Sequence, residues 1–302
     1  MNPLTGAFNF SVAEADLIPR LDEWILEQRL QEYSERTLKS YRYSVQRFID
    51  WIPEDEEITK ETMLRYKADL MQKYGSPKSI NCRVIELNKF MKWMELSDLK
   101  LKKVKVQFKQ SNEDVLSIAD YKRLLRFAKR NNDHQLYFIM KILAMTGIRV
   151  SELRYFTVEN LKTNYIKVFN KSKFRTVIVR QDLMRELKRY AREHGIKKGI
   201  LFPSTVKPSQ MVDESTIWRH MKKIAGQARV KKEKVHAHSF RHLFAQIYLE
   251  TYTDSITELA DILGHESLET TRLYTRTSDA QKRAKLERMD FVGKEKNHER
   301  YE

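Results

Sequence analysis

The stretch "YIKVFNKSKFRTVIV", residues 165–179, decides the fold class, because it is where the pattern leaves the helical period. Two runs rich in β-branched and aromatic residues, YIKVF (165–169) and RTVIV (175–179), flank a short basic turn, NKSKF. That is a hairpin signal, although neither Asn-Gly nor Gly-X marks the turn. The patterned segments on both sides are helical. The expected class is therefore mainly α with a small β-sheet or hairpin.

Towards the amino terminus, QLYFIMKILAMTG (135–147) is apolar on nearly all sides, which predicts a buried helix ended by Gly147. Ser117 and Asp120 stand three apart at the head of IADYKRLLRFAKR, close to a capping box. Before them come four amphipathic segments. LIPRLDEWILEQRL (17–30) places Leu17, Leu21, Trp24, Ile25 and Leu30 near one face. TLKSYRYSVQRFIDWI (37–52) repeats the habit with Leu38, Tyr41, Val45, Phe48 and Ile52. Thr59 caps a third helix that stops at Gly75, and Ser76-Pro77 opens a fourth. Their aromatics at helical spacing are most simply core. Towards the carboxyl terminus, DESTIWRHMKKIAGQ (213–227) restores the helical pattern.

The 302 residues carry 57 Lys and Arg against 41 Asp and Glu, a net charge of +16. Residues 1–110 hold 19 basic against 17 acidic side chains, and residues 111–302 hold 38 against 24, so +14 of the excess lies in the second part. Such a balance implies a polyanionic partner, most often nucleic acid. Between the parts, a strap without helical period, KLKKVKVQFK (100–109), offsets the acidic cluster PEDEE (53–57). A lone cysteine, Cys82, excludes an intramolecular disulfide and a cysteine-based zinc cage. No apolar run approaches the roughly 20 residues of a membrane helix, and the first dozen residues do not read as a signal peptide. The expected compartment is the cytoplasm, in association with the nucleoid.

Several polar residues sit where the helical pattern would be content without them. Arg149 follows the helix-ending Thr-Gly, with Glu152 three residues on; Lys171 and Lys173 crowd the hairpin turn. HAHSFRH (236–242) holds three histidines and Arg241, and His265 and Tyr274 come later. His238 and His242 have the i, i+4 spacing of helical metal ligands, but no glutamate occupies the place of a metalloprotease base and a guanidinium adjoins them. A serine hydrolase lacks its G-x-S-x-G elbow. Two arginines with lysine and histidine suit another task, surrounding a phosphate and stabilising its transition-state charge. A tyrosine beside such a cluster can attack phosphorus, because cationic neighbours favour its phenolate. A lysine on the turn can protonate the leaving alcohol, and neither metal nor cofactor is required.

TGIRVSEL (146–153), the basic hairpin turn, HSFRHLFA (238–245) and LGHESLETTRLY (263–274), in that order, resemble the tyrosine recombinase (phage integrase) family. The resemblance covers nearly the whole chain. It implies a helical, SAM-like core-binding domain over 13–106, a linker over 107–116 and a mixed α/β catalytic domain over 117–290. Short tails, 1–12 and 291–302, flank them. By position, Tyr274 matches the nucleophile that forms a 3′-phosphotyrosyl bond, and Arg149 and Arg241 match the pair that clamps the scissile phosphate. His238 matches the histidine that assists proton transfer, and His265 the one that bonds a nonbridging oxygen. Glu152 matches the acidic residue that orients the first arginine. Lys171 is the candidate general acid and Lys173 the runner-up, since the turn looks one residue shorter than the family's usual version.

The implied partners are double-stranded DNA with an inverted-repeat core site and further copies of the chain, four on two DNA sites, with room for accessory or directionality proteins. Lys100, Lys102, Lys103, Lys105 and Lys109 of the strap, with Arg42, Lys78 and Arg83 of the bundle, are the DNA-contacting candidates. The shortened turn leans the implied role towards integration, excision or inversion of a mobile element rather than Xer-like resolution of chromosome dimers. The chain looks to lack the arm-binding domain of larger integrases. A type IB topoisomerase and an inactive DNA-binding regulator are the other readings. SDAQKRAKLERMDFV (278–292) is expected to form a short basic helix that docks on a neighbouring copy or folds back on its own domain.

Overall fold

The computed structural model describes residues 14–53, 56–105, 115–163, 165–170, 173–252, 255–265 and 271. The chain divides into two compact units, Met1–Lys109 and Gln110–Glu302. The first contains helices α1 (Glu14–Leu30), α2 (Glu35–Ile49), α3 (Lys60–Lys73) and α4 (Pro77–Trp93). Ser34 caps α2 by accepting from the Thr37 amide at 3.2 Å, and Thr59 and Thr62 form a reciprocal cap at α3. Trp24, Phe48, Tyr66 and Phe90 are buried in the core with Leu17, Leu21, Val45, Leu70 and Val84. Two details differ from the sequence reading. Leu30 is 77% exposed. It lies about three and a half turns beyond Leu17, on the far side of the helix, and Gln28 takes the buried position instead. Helix α3 ends at Lys73 with Tyr74 extended, and Gly75 does not adopt the left-handed conformation of a helix-ending glycine.

The strap is held to α4 by two asparagines about two turns apart on one helical face. Asn81 Nδ2 donates to Val104 O at 2.9 Å while its Oδ1 accepts from Val104 N at 2.7 Å. Asn88 does the same for Leu101, at 2.9 and 2.8 Å. Each side-chain amide thus mimics a strand partner, satisfying backbone groups that a helix surface cannot. Leu101 is buried beneath, and Lys100, Lys102, Lys103 and Lys105 stay exposed.

The second unit is built around α6 (His134–Thr146), which packs against α5 (Ile118–Arg130), α8 (Glu214–Gln227) and α9 (Ala237–Thr251). The capping box of Ser117 and Asp120 opens α5. Gly147 closes α6 at φ +65°, its N–H donating to Leu143 O. Leu116, inside the expected linker, is fully buried in this unit's core. A 3-10 segment, Val150–Tyr155, follows Gly147, and a second, Asn160–Lys162, precedes the hairpin. Strands β1 (Tyr165–Asn170) and β2 (Lys173–Ile178) pair antiparallel from Tyr165↔Ile178 to Asn170↔Lys173. The hairpin is longer than the five-residue turn of the sequence reading allowed: Asn170 and Lys173 pair, with only two residues between them. Ile166, Val168, Val177 and Val179 face the core, as strand alternation requires. Helix α7 (Gln181–Glu193) follows, and α10 (Ile256–Leu263) ends at Gly264, again left-handed at φ +64°. The expected helix over 278–292 lies outside the described residues. No helix among the described residues is long and apolar enough to cross a membrane.

Candidate active site

Three arginines from three different elements converge on three successive carbonyls at the end of α10. Arg175, on β2, donates from Nη1 to Ile262 O at 2.5 Å. Arg241, on α9, donates from Nη2 to Leu263 O at 2.8 Å. Arg149, at the start of the Val150–Tyr155 segment, places Nη2 3.5 Å from Gly264 O. The last carbonyls of a helix lack intrahelical donors and carry its negative dipole end, so cations gather there. Arg241 also donates from Nη1 to Gly147 O at 2.7 Å, tying the left-handed turn after α6 to the one after α10. It is 1% exposed. Cβ atoms would be obstructed at both glycines, meeting Phe244 Cδ1 at 2.6 Å from Gly147 and Arg175 Cδ at 2.7 Å from Gly264.

Glu152 holds the group together from the other side. Its Oε2 accepts from the Arg149 amide at 2.8 Å and from Arg175 Nη2 at 2.6 Å, and its Oε1 lies 3.4 Å from Arg149 Nη1. Only 1% of the residue is exposed, so this is a buried carboxylate with two cationic neighbours rather than a surface ion pair. Burial pulls the Arg175 guanidinium below its usual range, and Glu152 opposes that pull. Among these residues three guanidinium charges face one carboxylate, which leaves the cluster cationic and suited to an anion.

The histidines stand at the same place. His236 caps α9 by accepting from the Ser239 amide at 3.2 Å. His238, one turn before Arg241, lies edge-on to His242 with ring centroids 4.8 Å apart. Burial, reinforced by Arg241, lowers the His238 pKa, so at neutral pH the ring is a free base. His242 is pushed down to about 4 by burial and then by His238. His265 is likewise pushed to about 4, by burial and then by Arg241 and Arg149. Its Nε2 lies 2.7 Å from Arg241 Nη2 and its Nδ1 lies 2.8 Å from Thr271 Oγ1.

The structure thus brings together Arg149, Glu152, His238, Arg241 and His265. Lys171 and Tyr274 lie outside the described residues; Lys173 is in β2, described through its backbone pairing with Asn170. Two contributors were missed in the sequence. Arg175 carried a signal, since strand alternation places it on the inward face with Val177 and Val179. Thr271, fully buried, carried none. The DNA-contacting candidates differ among themselves. Lys78 is exposed, Arg42 is paired with Asp22 at 2.6 Å, and Lys109 lies outside the described residues. Arg83 lies over the rings of Tyr43 and Tyr74, 4.7 Å from each centroid, and donates to Ser44 Oγ at 3.1 Å. Its Nε is buried without a partner among the described residues. Among the described residues no group of three or more His, Cys, Asp or Glu side chains is placed to hold a metal ion.

The profile of the Phage integrase family matches residues 114–281. Tyrosine recombinase XerA of Pyrococcus furiosus is 28% identical over 279 residues, covering 90% of this chain and 94% of that protein. Tyrosine recombinase XerD of Haemophilus ducreyi is also 28% identical over 279 residues, covering 84% and 90%. A crystal structure of a lambda integrase dimer, residues 75–356, bound to a COC′ core site superposes with a TM-score of 0.71 at 17% identity, covering 88% of this chain and 96% of that one.

Proposed function

The chain belongs to the phage integrase family, the tyrosine recombinases, and from that premise we propose how its site breaks and rejoins DNA. It is a site-specific DNA recombinase. Tyr274 Oη attacks the scissile phosphorus, an O–P bond forms, the bond to the 5′-oxygen breaks, and a 3′-phosphotyrosyl link results. Arg149 and Arg241 grip the nonbridging oxygens and stabilise the charge that develops on them. His238, a free base at neutral pH, assists removal of the tyrosine proton. Lys171 protonates the leaving 5′-oxygen. The hairpin register supports Lys171 over Lys173, because Lys173 pairs with Asn170 within the ladder, whereas Lys171 comes between those two residues in the sequence. Rejoining reverses the step with the 5′-hydroxyl of the other duplex. The phosphotyrosyl link conserves the bond energy, so the scheme needs neither nucleotide nor metal.

The observation that carries this reading is the convergence of Arg149, Glu152, Arg175, Arg241 and His265 at the end of α10. The first unit acts as the core-binding domain and the second as the catalytic one, with the exposed strap lysines following the phosphate backbone. Four protomers on two inverted-repeat sites exchange strands in pairs through a four-way junction, in the cytoplasm with the nucleoid. Integration, excision or inversion of a mobile element is the proposed role. Resolution of chromosome dimers is the second reading, favoured by the two relatives named XerA and XerD, which match over most of their length.

The test needs no known site. Wild-type and Tyr274→Phe protein are incubated with sheared host DNA in EDTA, quenched with denaturant, and the covalently attached DNA is sequenced. Adducts from wild type alone, enriched at one inverted repeat, support the reading; adducts without sequence preference move it to a type IB topoisomerase. Equal adducts from Tyr274→Phe remove Tyr274 as the nucleophile.

A further inference from the structure

Arg175 belongs to none of the groups that the chemistry above uses, yet it joins β2 directly to the charged groups of the site. Its guanidinium crosses from β2 to Glu152 Oε2 at 2.6 Å and to Ile262 O at 2.5 Å. The first contact joins it to the carboxylate that holds Arg149, and the second to the helix end that leads into Gly264 and His265. Its side chain is 15% exposed, and its Nε is buried without a partner among the described residues. Gly264 is shaped around it: a Cβ there would lie 2.7 Å from Arg175 Cδ and 3.0 Å from Nε. An arginine stem packed against a left-handed glycine, with its head shared between a buried carboxylate and a helix end, has little freedom. The strand that bears it is correspondingly fixed.

We propose that Arg175 is a positioning residue that sets the hairpin, and with it the lysine that protonates the leaving oxygen, in register with the Arg149 and Arg241 phosphate clamp. This rests on the reading of the site given above. Arg175 lies four residues beyond Lys171 in the sequence, and the ladder that holds it runs on to the pair Asn170↔Lys173. Register along β1 and β2 fixes the hairpin internally, and burial of Ile166, Val168 and Val177 with the bond from Tyr155 Oη to Phe169 O at 2.8 Å docks β1. The Arg175 contacts with Glu152 and Ile262 tie β2 directly to the clamp.

The test compares wild type with Arg175→Lys and Arg175→Gln on the inverted-repeat DNA recovered by covalent capture, prepared with either oxygen or sulfur at the bridging 5′ position. Sulfur leaves without protonation, so it bypasses the acid. Misplacing a reacting group by about an ångström costs on the order of 100-fold. We expect a loss of that size in adduct formation by Arg175→Lys on the oxygen substrate and a near wild-type rate on the sulfur substrate. Hydrogen exchange of the β1 and β2 amides, read on the same proteins without DNA, should speed up in both variants. Unchanged rates on oxygen, an equal loss on sulfur, or unchanged hairpin exchange in Arg175→Lys would each overturn the proposal. Absence of adduct in wild type would instead overturn the reading of the site, while the exchange measurement would still decide whether Arg175 anchors the hairpin. If Arg175→Gln does not fold, Arg175→Lys carries the comparison.

Discussion

Arg241 Nη2 lies 2.7 Å from His265 Nε2. A guanidinium can only donate, so Nε2 accepts and the ring proton resides on Nδ1, from which it reaches Thr271 Oγ1 at 2.8 Å. In this state His265 is neutral and braces the buried arginine. To donate to a phosphate oxygen through Nε2 it would have to give up Arg241 and carry its proton on Nε2, either by protonation or by a change of tautomer in which Thr271 Oγ1 donates to Nδ1.

The pH dependence follows. His242 and His265 are both held to about 4 in the fold, against 6.5 ordinarily. Between those values the unfolded chain binds protons that the folded chain refuses, so stability falls as the pH is lowered from about 6.5 towards about 4. Urea unfolding at pH 7 and pH 5 checks this, and NMR should find both imidazoles neutral at pH 6. Equal stability at the two pH values would show that neither ring is protected.

Glu152→Gln removes the only carboxylate that the described residues place among the three converging arginines. Breaking a buried pair in this way costs about 3–5 kcal/mol. The urea midpoint should drop accordingly with little change in slope, and adduct formation should fall with it. A change of a few tenths of a kcal/mol would mean that the pair behaves as a surface contact.

Gly147 and Gly195 share a φ of +65°, but only Gly147 is crowded: a Cβ there would lie 2.6 Å from Phe244 and 2.7 Å from Leu263. Gly195→Ala should cost only the left-handed strain, roughly 1–2 kcal/mol. Gly147→Ala should cost roughly 1–3 kcal/mol more through overpacking. It should also impair adduct formation, since Gly147 O is an acceptor for Arg241. Thermal melts of the two variants side by side separate conformation from packing.

The strap gives a prediction of a different kind. Replacing Lys102, Lys103 and Lys105 together by Gln should flatten the plot of log affinity against log salt, by about 0.9 for each phosphate that is no longer neutralised. Asn81→Ala with Asn88→Ala releases the backbone of Leu101 and Val104 without removing charge, so it should weaken DNA binding with less change in slope. Identical slopes in wild type and the triple-lysine variant would remove the strap from the DNA interface.

Much of this protein was legible before any coordinates. The capping box at Ser117 and Asp120, the buried helix ending at Gly147 and the hairpin around residue 170 are local facts of period and chemistry, and the structure contains each of them. Arg149, His238, Arg241 and His265 were legible through the spacing of their motifs. Leu30 is apolar but lies more than half a turn past the buried face of α1, so hydrophobicity alone does not place it. Strand alternation points Arg175 inward, but its partners Glu152 and Ile262 O are far away in the sequence and leave no local sign beside it.

The sequence by itself determined the helices it patterns, the hairpin and the identity of the charged groups, because caps and periods depend on neighbours a few residues away. Only the tertiary structure decided that the end of α10 is where those groups meet. Ile262, Leu263 and Gly264 carry no sign of it in their side chains: what attracts Arg175, Arg241 and Arg149 is a set of backbone carbonyls that the helix leaves unpaired. Backbone groups are the same in every residue, so their use as ligands is written in no motif and appears only when the chain has folded.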